Sequence, residues 1–293
     1  MVSLSERSYI IDGITQDIRT DGRTRLDYRY ITYNHNVLPH TQSSIRIRVG
    51  ATDVLAVCSF ELVSPDTVHS NHGIIEFNVQ STQSSYPLTL HQQHYTQSQI
   101  HDINARLSAQ LQQLYCYSNE IIDLTQLCVI NNQTVWCLYI DCTIVCADGS
   151  LIDSLSIATN LVLKHLLLPK VNVTQNELTH EYEIQLLPDE PGIPLQLNNI
   201  PLAITLYTFD NDYCIDCTAI ESVVCSNSLI LSIHSNGTIQ GMISEFMNCG
   251  ITIKQLKQLR LAAQVIGKQL HNTINTLINT VSQQSVNDSM HIT

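Results

Sequence analysis

The sequence predicts an α+β fold in which helices pack on sheets of short strands. Segments rich in Val, Ile and Tyr alternate with turn residues, a pattern typical of short β-strands. Two longer stretches repeat apolar residues at steps of three and four, which is typical of α-helices, and a third is apolar nearly all round, as in a buried helix. The order along the chain is strands, helix, strands, helix, and then strands and helix again. We therefore expect two layered halves.

The first half is predicted over residues 1–173. A short amphipathic helix is expected at about residues 5–12 and a longer one at residues 96–117, where apolar residues recur on one face. A helix over residues 151–168 is apolar nearly all round and must therefore be buried, and Pro169 is expected to end it. The strand segments are LDYRYITYN, SSIRIRVG, DVLAVCSFEL, GIIEFNVQST, LTQLCVINN and TVWCLYIDCTIVC.

The second half is predicted over residues 202–285, after an extended, proline-rich connecting segment at residues 174–201. A long helix follows its strands, with apolar positions from Leu256 to Val281 on one face. The polar residues 286–293 are predicted to form a disordered tail. The strand segments are PLAITLYTF, YCIDCTA, SLILSIHS and GTIQGMIS, with Asn236-Gly237 as the hairpin turn between the last two.

Composition argues against several classes of protein. The 293 residues are 44% hydrophobic and 14% charged, which suits a chain with a sizeable core. No apolar run reaches the roughly 20 residues that a membrane span needs, so no membrane partner is expected. The N-terminal residues do not resemble a secretion signal. Nucleotide-binding loops and the common hydrolase motifs are also missing, and no cofactor is expected.

The ten cysteines are expected to be reduced, buried thiols. Cys214 and Cys217 form the C-x-x-C motif of the chain, but they lie in a strand-like segment. Residues three apart on a strand point to opposite faces, so the two thiols are not expected to share a metal. A polar loop is the preferred interpretation of the histidines near His91, with a metal site there as the alternative.

Several motifs, taken in order, resemble the RNase PH-like subunits of the RNA exosome ring. They are RTDGRTRLDYR, SSIRIRVGATDVLAVCSFEL, HGIIEFNVQST and ADGSLIDSLSIATNLVLKHLLLPKV, and the resemblance covers nearly all of the chain. It is closest to the branch named ribosomal RNA-processing protein 42. The resemblance implies a duplicated βαβα-type unit with helices on mixed sheets, of the class called ribosomal protein S5 domain 2-like. Active relatives cleave RNA from its 3′ end with phosphate.

The segment ADGSLIDSLSIA departs from the phosphate-binding segment that active relatives carry, which resembles ADGGTRTASITA. Leu151 and Ile152 replace the hydroxyl residue and the arginine of that segment, and neither side chain can donate a hydrogen bond. Asp153 is expected to place a carboxylate at the positive end of the helix, where the phosphate would lie. The resemblance therefore implies that the phosphate site is lost.

Two further elements of active relatives are also replaced. Their pair of catalytic acids falls on Ser222 and Ser228, and a serine hydroxyl cannot act as a general acid or hold a divalent metal as a carboxylate would. Leu62 stands where relatives carry the RNA-contacting arginine of a turn after the third strand. No enzymatic activity and no bound metal are therefore expected.

The segment RTDGRTRLDYR puts four arginines into eleven residues of a chain with net charge -12. Guanidinium groups pair bidentately with carboxylates, which favours a clamp within the fold or at a subunit interface. An RNA contact is the alternative, because such contact needs a basic patch. The clamp candidates are Arg19, Asp21, Arg23, Asp27 and Arg29, with nearby Asp17 as a further balancing acid. The RNA-contact candidates are Arg23, Arg46 and Arg48.

The resemblance implies a non-catalytic subunit of the exosome core ring that supports 3′-to-5′ RNA processing and degradation. Its expected partners are other RNase PH-like subunits in a hetero-hexamer, cap proteins with S1 or KH domains, a hydrolytic nuclease, and RNA in the assembled channel. The expected location is the nucleus, nucleolus and cytoplasm. Two alternatives remain: an active phosphate-dependent exoribonuclease with a rearranged site, and an enzyme that uses a metal or the thiols.

Overall fold

The computed structural model of the protein describes residues 2–66, 69–86, 95–116, 123–175, 182–187, 190–197, 199–210, 212–246 and 250–290. The α-helices in these ranges are α1 (Leu4–Thr15), α2 (Gln97–Cys116), α3 (Leu151–His165), α4 (Ala219–Val224) and α5 (Ile253–Met290). Short 3₁₀ helices occur at Gln83–Ser85 and Leu124–Leu127. None of the described helices combines the length and the apolar character that crossing a membrane would require.

The first sheet is mixed, as predicted. Its strands are β1 (Ile31–His35), β2 (Ser43–Val49), β3 (Thr52–Val63), β4 (Ile74–Ser81), β5 (Cys128–Ile130) and β6 (Thr134–Cys146). The order is β1-β2-β3-β6-β4, with β5 paired to the start of β6. The β4–β6 pair is parallel and the other pairs are antiparallel. The connection between β4 and β6 contains α2, which packs on β4.

Four short strands link the two halves. They are β7 (Leu167–Leu168), β8 (Val171–Gln175), β9 (Tyr182–Leu186) and β10 (Ile193–Pro194). Strand β7 pairs with β10, and β8 pairs with β9, in both cases antiparallel. The segment predicted to be extended thus contains short strands within the described residues, and β8 and β9 pair with each other.

The second sheet is antiparallel, in the order β12-β11-β13-β14. Its strands are β11 (Leu202–Phe209), β12 (Asp212–Ile215), β13 (Asn227–Ile233) and β14 (Ile239–Phe246). The predicted turn at Asn236-Gly237 lies between β13 and β14, and the φ of +87° at Gly237 suits glycine. Helix α5 packs on β11 and β13.

Helix α3 joins the two halves. Its residues from Ile152 to Leu163 are all buried, and it packs on β2 and β3 of the first sheet and on β11 of the second. The prediction of a buried helix is confirmed, but the helix ends at His165 instead of Leu168. Leu168 precedes a proline, which disfavours helical backbone, and it pairs with Ile193 as a strand.

Helix α1 belongs to the predicted first half, yet it packs against β12 and α4 of the second. Ile10 and Ile14 are buried in a small apolar cluster with Tyr207, Phe209 and Cys214. The polypeptide then returns to the first sheet through the arginine-rich segment. That segment therefore runs along the boundary between the halves.

Two segments, YCIDCTA and the C-terminal tail, differ from the prediction. The segment YCIDCTA is a strand only to Ile215, and α4 follows it. At the C-terminus, α5 continues to Met290, so residues 286–290 of the predicted tail are helical. Adding residues to a formed helix costs little, because each one gains a hydrogen bond, and the polar composition does not stop it.

Candidate functional site

The arginine-rich segment lies against the turn that follows β12. Arg29 binds Asp216 bidentately, with Nε 2.9 Å from Oδ2 and Nη2 2.7 Å from Oδ1. The Arg29 backbone N–H also donates to Oδ2, at 2.7 Å. The Asp216 carboxylate is fully buried, so all three bonds lie out of water. Such charge-assisted bidentate bonds are stronger than neutral hydrogen bonds.

Arg19 binds the same turn from the other side. Its Nε lies 3.0 Å from Oε1 of Glu221, and both side chains are buried. Its Nη1 and Nη2 donate to the carbonyl oxygens of Ile215 and Asp216, each at 3.0 Å. Burial alone would lower the pKa of Arg19, but the hydrogen bonds and charge of Glu221 raise it above its usual value. Arg19 therefore stays charged in the interior.

Arg23 completes this group of side chains. Its Nε lies 2.7 Å from Oδ2 of Asp21, and its Nη1 lies 3.2 Å from Oδ2 of Asp216. We call Arg19, Arg23, Arg29, Asp216 and Glu221 the arginine cluster. It joins residues 19–29 to residues 216–221 through buried charges, and breaking a buried pair typically costs about 3–5 kcal/mol.

Asp27 of the segment and nearby Asp17 form local hydrogen bonds. The Asp27 carboxylate accepts from the backbone N–H and hydroxyl of Thr24 at 3.1 and 2.6 Å, and the charges of Arg23 and Arg19 also act on it. Those hydrogen bonds lower the pKa of Asp27. Asp17 accepts from the backbone N–H of Arg25 at 2.9 Å, and the Arg25 side chain reaches Asp212 at 2.9 Å.

The start of α3 is covered by other parts of the chain. Gly149 has a φ of +78°, and a Cβ on it would lie 2.1 Å from the carbonyl oxygen of Cys217 and 2.8 Å from the nitrogen of Ala219. Ile152 is buried, and Leu151 is half-buried. Backbone atoms thus lie against Gly149, and the first two residues of α3 are aliphatic, at the position where the sequence predicts that no phosphate site remains.

Asp153 lies in the first turn of α3, as predicted, but its carboxylate bonds to the second sheet. It is buried and faces β11, where its Oδ2 accepts from the backbone N–H of Thr205 at 3.1 Å. Its Oδ1 accepts from the Thr205 hydroxyl at 2.5 Å. Burial raises the pKa of Asp153 to about 7, although the Thr205 hydrogen bonds favour the charged form. The carboxylate in the first turn of α3 is thus bound to Thr205 of β11.

The two serines that align with the catalytic acids have structural hydrogen bonds. The Ser222 hydroxyl, within α4, donates to the carbonyl oxygen of Ala219 at 2.8 Å. The Ser228 hydroxyl, on β13, donates to Oε2 of Glu245 at 3.2 Å. The other oxygen of Glu245 accepts from Gln110 of α2 at 2.7 Å.

Sequence reasoning missed Glu245 as a neighbour of Ser228. The two residues are opposite each other in the β13–β14 register, although they are 17 positions apart in the chain. The predicted hairpin turn at Asn236-Gly237 could have indicated the pairing, because it fixes which residues of the two strands face each other.

Leu62 lies inside β3, opposite Trp136 of β6, within the strand predicted over DVLAVCSFEL. Strand β3 is 12 residues long and includes the whole segment that was aligned with the turn. The Leu62 side chain is partly exposed on this strand.

Arg46 and Arg48 lie on the same side of β2, as their spacing predicts, and both reach Asp53. The Arg46 Nη2 and the Arg48 Nε are 2.7 and 2.8 Å from its Oδ2. Side-chain exposures of 39% and 58% leave both guanidiniums accessible, but they share one carboxylate. Their contact with RNA stays a prediction.

Cys214 and Cys217 lie together, against expectation, with their sulfur atoms 3.0 Å apart and both side chains buried. The strand ends at Ile215, and Asp216 has a φ of +44°, which turns the chain back. Burial raises the pKa of Cys217 well above its usual value, so this thiol is not activated. Within the described ranges no three His, Cys, Asp or Glu residues are placed to hold a metal ion. His91 lies outside those ranges.

Comparisons with known proteins agree with this architecture. A model of the 3′ exoribonuclease family, domain 1, called RNase PH, matches residues 27–169. A Dictyostelium discoideum protein named as an exosome complex exonuclease, RRP42, is 24% identical, over 96% of this chain and 99% of the relative. The exosome complex component RRP45 of Bos taurus is 26% identical over 88% of this chain, and the match spans only 59% of that relative.

A solved structure described as the Archaeoglobus fulgidus exosome with RNA bound to the active site has the same fold. Its TM-score is 0.72 at 18% identity, and the match covers 91% of this chain and 96% of the solved one. The predicted α+β fold of the RNase PH-like class is therefore confirmed.

Proposed function

Because this chain contains an RNase PH domain at residues 27–169, we propose that it is a non-catalytic structural subunit of an RNA exosome core ring. In this role it supports 3′-to-5′ RNA processing and degradation by forming part of the wall of the RNA channel. Its neighbours are other RNase PH-like subunits, in a hetero-hexameric ring closed by head-to-tail contacts. No cofactor takes part.

The observation that carries this proposal is the start of α3. Free N–H groups at a helix N-terminus bind phosphate when an anion can approach them. Here the backbone of residues 217–219 lies against Gly149, and Leu151 and Ile152 offer no donor. A subunit that cannot hold phosphate at this position cannot use it to cleave RNA there.

The remaining parts of the proposal concern partners and place. Cap proteins with S1 or KH domains bind one face of the ring, and a separate hydrolytic nuclease receives RNA from the channel. Arg23, Arg46 and Arg48 contact the RNA backbone, and the arginine cluster acts as a clamp that holds the subunit's shape for its neighbours. The protein works in the nucleus, the nucleolus and the cytoplasm.

Affinity purification of the tagged full-length chain from its own cells, with quantitative mass spectrometry, tests this assembly. Near-equimolar recovery of other RNase PH-like proteins together with S1 or KH proteins is expected. Recovery of the chain only as an assembly with itself would contradict the proposal. A tagged unrelated protein of similar acidity serves as the control for non-specific capture.

A second candidate function is favoured by Glu245. Its carboxylate meets Ser228, at a position where active relatives carry an acid, so it could replace that acid in a rearranged phosphate-dependent exoribonuclease. This candidate predicts that RNA shortening requires phosphate and is lost in Glu245→Gln. In the structural-subunit proposal, the same substitution leaves RNA turnover by the assembled complex unchanged.

A further inference from the structure

Helix α5 has one buried and one exposed face. The buried positions Leu259, Ala263, Ile266, Leu270 and Ile274 follow steps of three and four. Gly267 lets the helix approach β13 closely, since a Cβ on it would lie 2.7 Å from Cγ2 of Ile233. The helix is therefore held firmly on the sheet, and its opposite face is presented in a fixed position.

The exposed face carries a stripe of five residues. Lys254, Lys257, Leu261, Val265 and Lys268 are separated by steps of three, four, four and three, which places them along one side of the helix. All five side chains are exposed; Leu261 and Val265 are 64% and 59% accessible. We call these five residues the α5 stripe. It combines positive charge with apolar surface, and Arg260 lies beside it.

The charge of this surface is unusual for the chain. Four of the 14 Lys and Arg residues lie between positions 254 and 268, and no Asp or Glu occurs from residue 246 to residue 287. No ion pair joins these four side chains to another described residue. The charges are therefore free to act on a partner.

The positions of two of the lysines are unfavourable for the stability of helix α5. Lys254 and Lys257 lie in its first two turns, where the helix dipole is positive and repels cations. Acidic residues favour the first turn of a helix, but α5 has none there. Local stability therefore does not explain the positive charge, whereas binding to an anionic partner does.

The apolar residues of the stripe decide between kinds of anionic partner. Single-stranded nucleic acid binds to surfaces that pair basic groups with aromatic side chains, on which the bases stack. Helix α5 has no Phe, Tyr or Trp, and its one histidine, His271, is buried. Leu261 and Val265 instead suit the apolar side of an amphipathic protein helix.

We infer that the α5 stripe is a docking surface for an acidic amphipathic helix of a partner protein. The partner helix packs leucine-type side chains on Leu261 and Val265. Its carboxylates pair with Lys254, Lys257 and Lys268. This interaction goes beyond the proposed role in the ring and does not depend on it.

Fluorescence anisotropy with the full-length chain tests the inference. The probe is a labelled synthetic 18-residue helix with leucine on one face and glutamate on its flanks. Two further probes are the same peptide with glutamine in place of glutamate, and a 12-nucleotide oligouridylate. The variants are Lys254→Glu with Lys257→Glu, Leu261→Ser, and the control Arg7→Glu with Lys170→Glu. The control makes the same change in charge outside α5.

The acidic peptide is expected to bind more tightly than its glutamine version. The double lysine reversal should weaken binding about tenfold, because two attractive charge pairs become repulsive, while the control pair should leave binding unchanged. Leu261→Ser should weaken it as well, and because its side chain is exposed, folding should not suffer. The inference is overturned if the acidic peptide does not bind saturably, or if reversing the charges of Lys254 and Lys257 leaves its affinity unchanged. It is also overturned if the oligouridylate binds more tightly than the acidic peptide.

Discussion

The guanidinium of Arg29 and the carboxylate of Asp216 form a buried bidentate pair across 187 positions of the chain. Arg29 leads into the first strand of the first sheet, and Asp216 follows the second strand of the second sheet. Asp216 also accepts from Arg23, at 3.2 Å. One buried carboxylate thus links the two halves of the fold.

Replacing Asp216 with Asn is expected to destabilise the protein by about 3–5 kcal/mol, because two guanidiniums lose their common charge. Asparagine tolerates a positive φ, so the change tests the charge rather than the backbone turn. Urea unfolding measures the loss. Asp102→Asn, on an exposed position of α2, is the control and should change stability by less than about 0.5 kcal/mol. Equal effects of the two changes would contradict the clamp.

Replacing Glu221 with Gln is expected to weaken the fold by about 3 kcal/mol, since Arg19 is left charged and buried. The capping box that Glu221 forms with Thr218 can be kept by glutamine, so the loss reports the ion pair. A double-mutant cycle with Arg19→Lys checks this in urea unfolding. Fully additive losses would show that the two residues are not coupled.

Gly149→Ala is expected to destabilise the protein by more than about 3 kcal/mol, because the new Cβ would overlap the Cys217 carbonyl oxygen. Gly22→Ala is a matched control, since Gly22 also has a positive φ, of +83°, but has no atom near the new Cβ. It should cost only about 1 kcal/mol, for the strained backbone. Thermal and urea unfolding compare the two variants, and similar losses would mean that the start of α3 is not tightly covered.

Asp153 is expected to make stability depend on pH. Its pKa is raised from about 4 in the unfolded chain to about 7 in the folded protein, so the folded state favours the protonated form. That contribution is present below pH 4 and is lost progressively as the pH rises to about 7. The free energy of unfolding of the protein minus that of Asp153→Asn should therefore be larger at pH 5 than at pH 8. An unchanged difference in urea unfolding would contradict the raised pKa.

Much of the fold could be predicted because local patterns determine it. The apolar run of α3 required burial, and the 3–4 spacing from Leu256 onward predicted the packing of α5. Helix α4 could have been predicted from Thr218 and Glu221, which have the spacing of a capping box before an apolar pair. Because YCIDCTA has the composition of a strand, the sequence predicted a strand up to Ala219 instead of a helix beginning there.

The site was harder to predict from the sequence because it depends on contacts between residues that are far apart in the chain. The acids near Arg29 in the sequence suggested local balance, but the partner of this arginine is Asp216. Cys214 and Cys217 meet because of one residue with positive φ, which composition does not indicate. Glu245 reaches Ser228 only through strand register.

The central claim, that this subunit is not an enzyme, is tested most directly by an RNA-shortening assay on the purified chain and on its complex. A 5′-labelled RNA is incubated with and without inorganic phosphate, and nucleoside diphosphates are measured, with an active RNase PH-like enzyme as the positive control. We expect no phosphate-dependent release from the chain, and no change in RNA turnover when the complex carries Ser228→Ala or Glu245→Gln. Phosphate-dependent release that disappears in Glu245→Gln would contradict the claim and establish a rearranged active site.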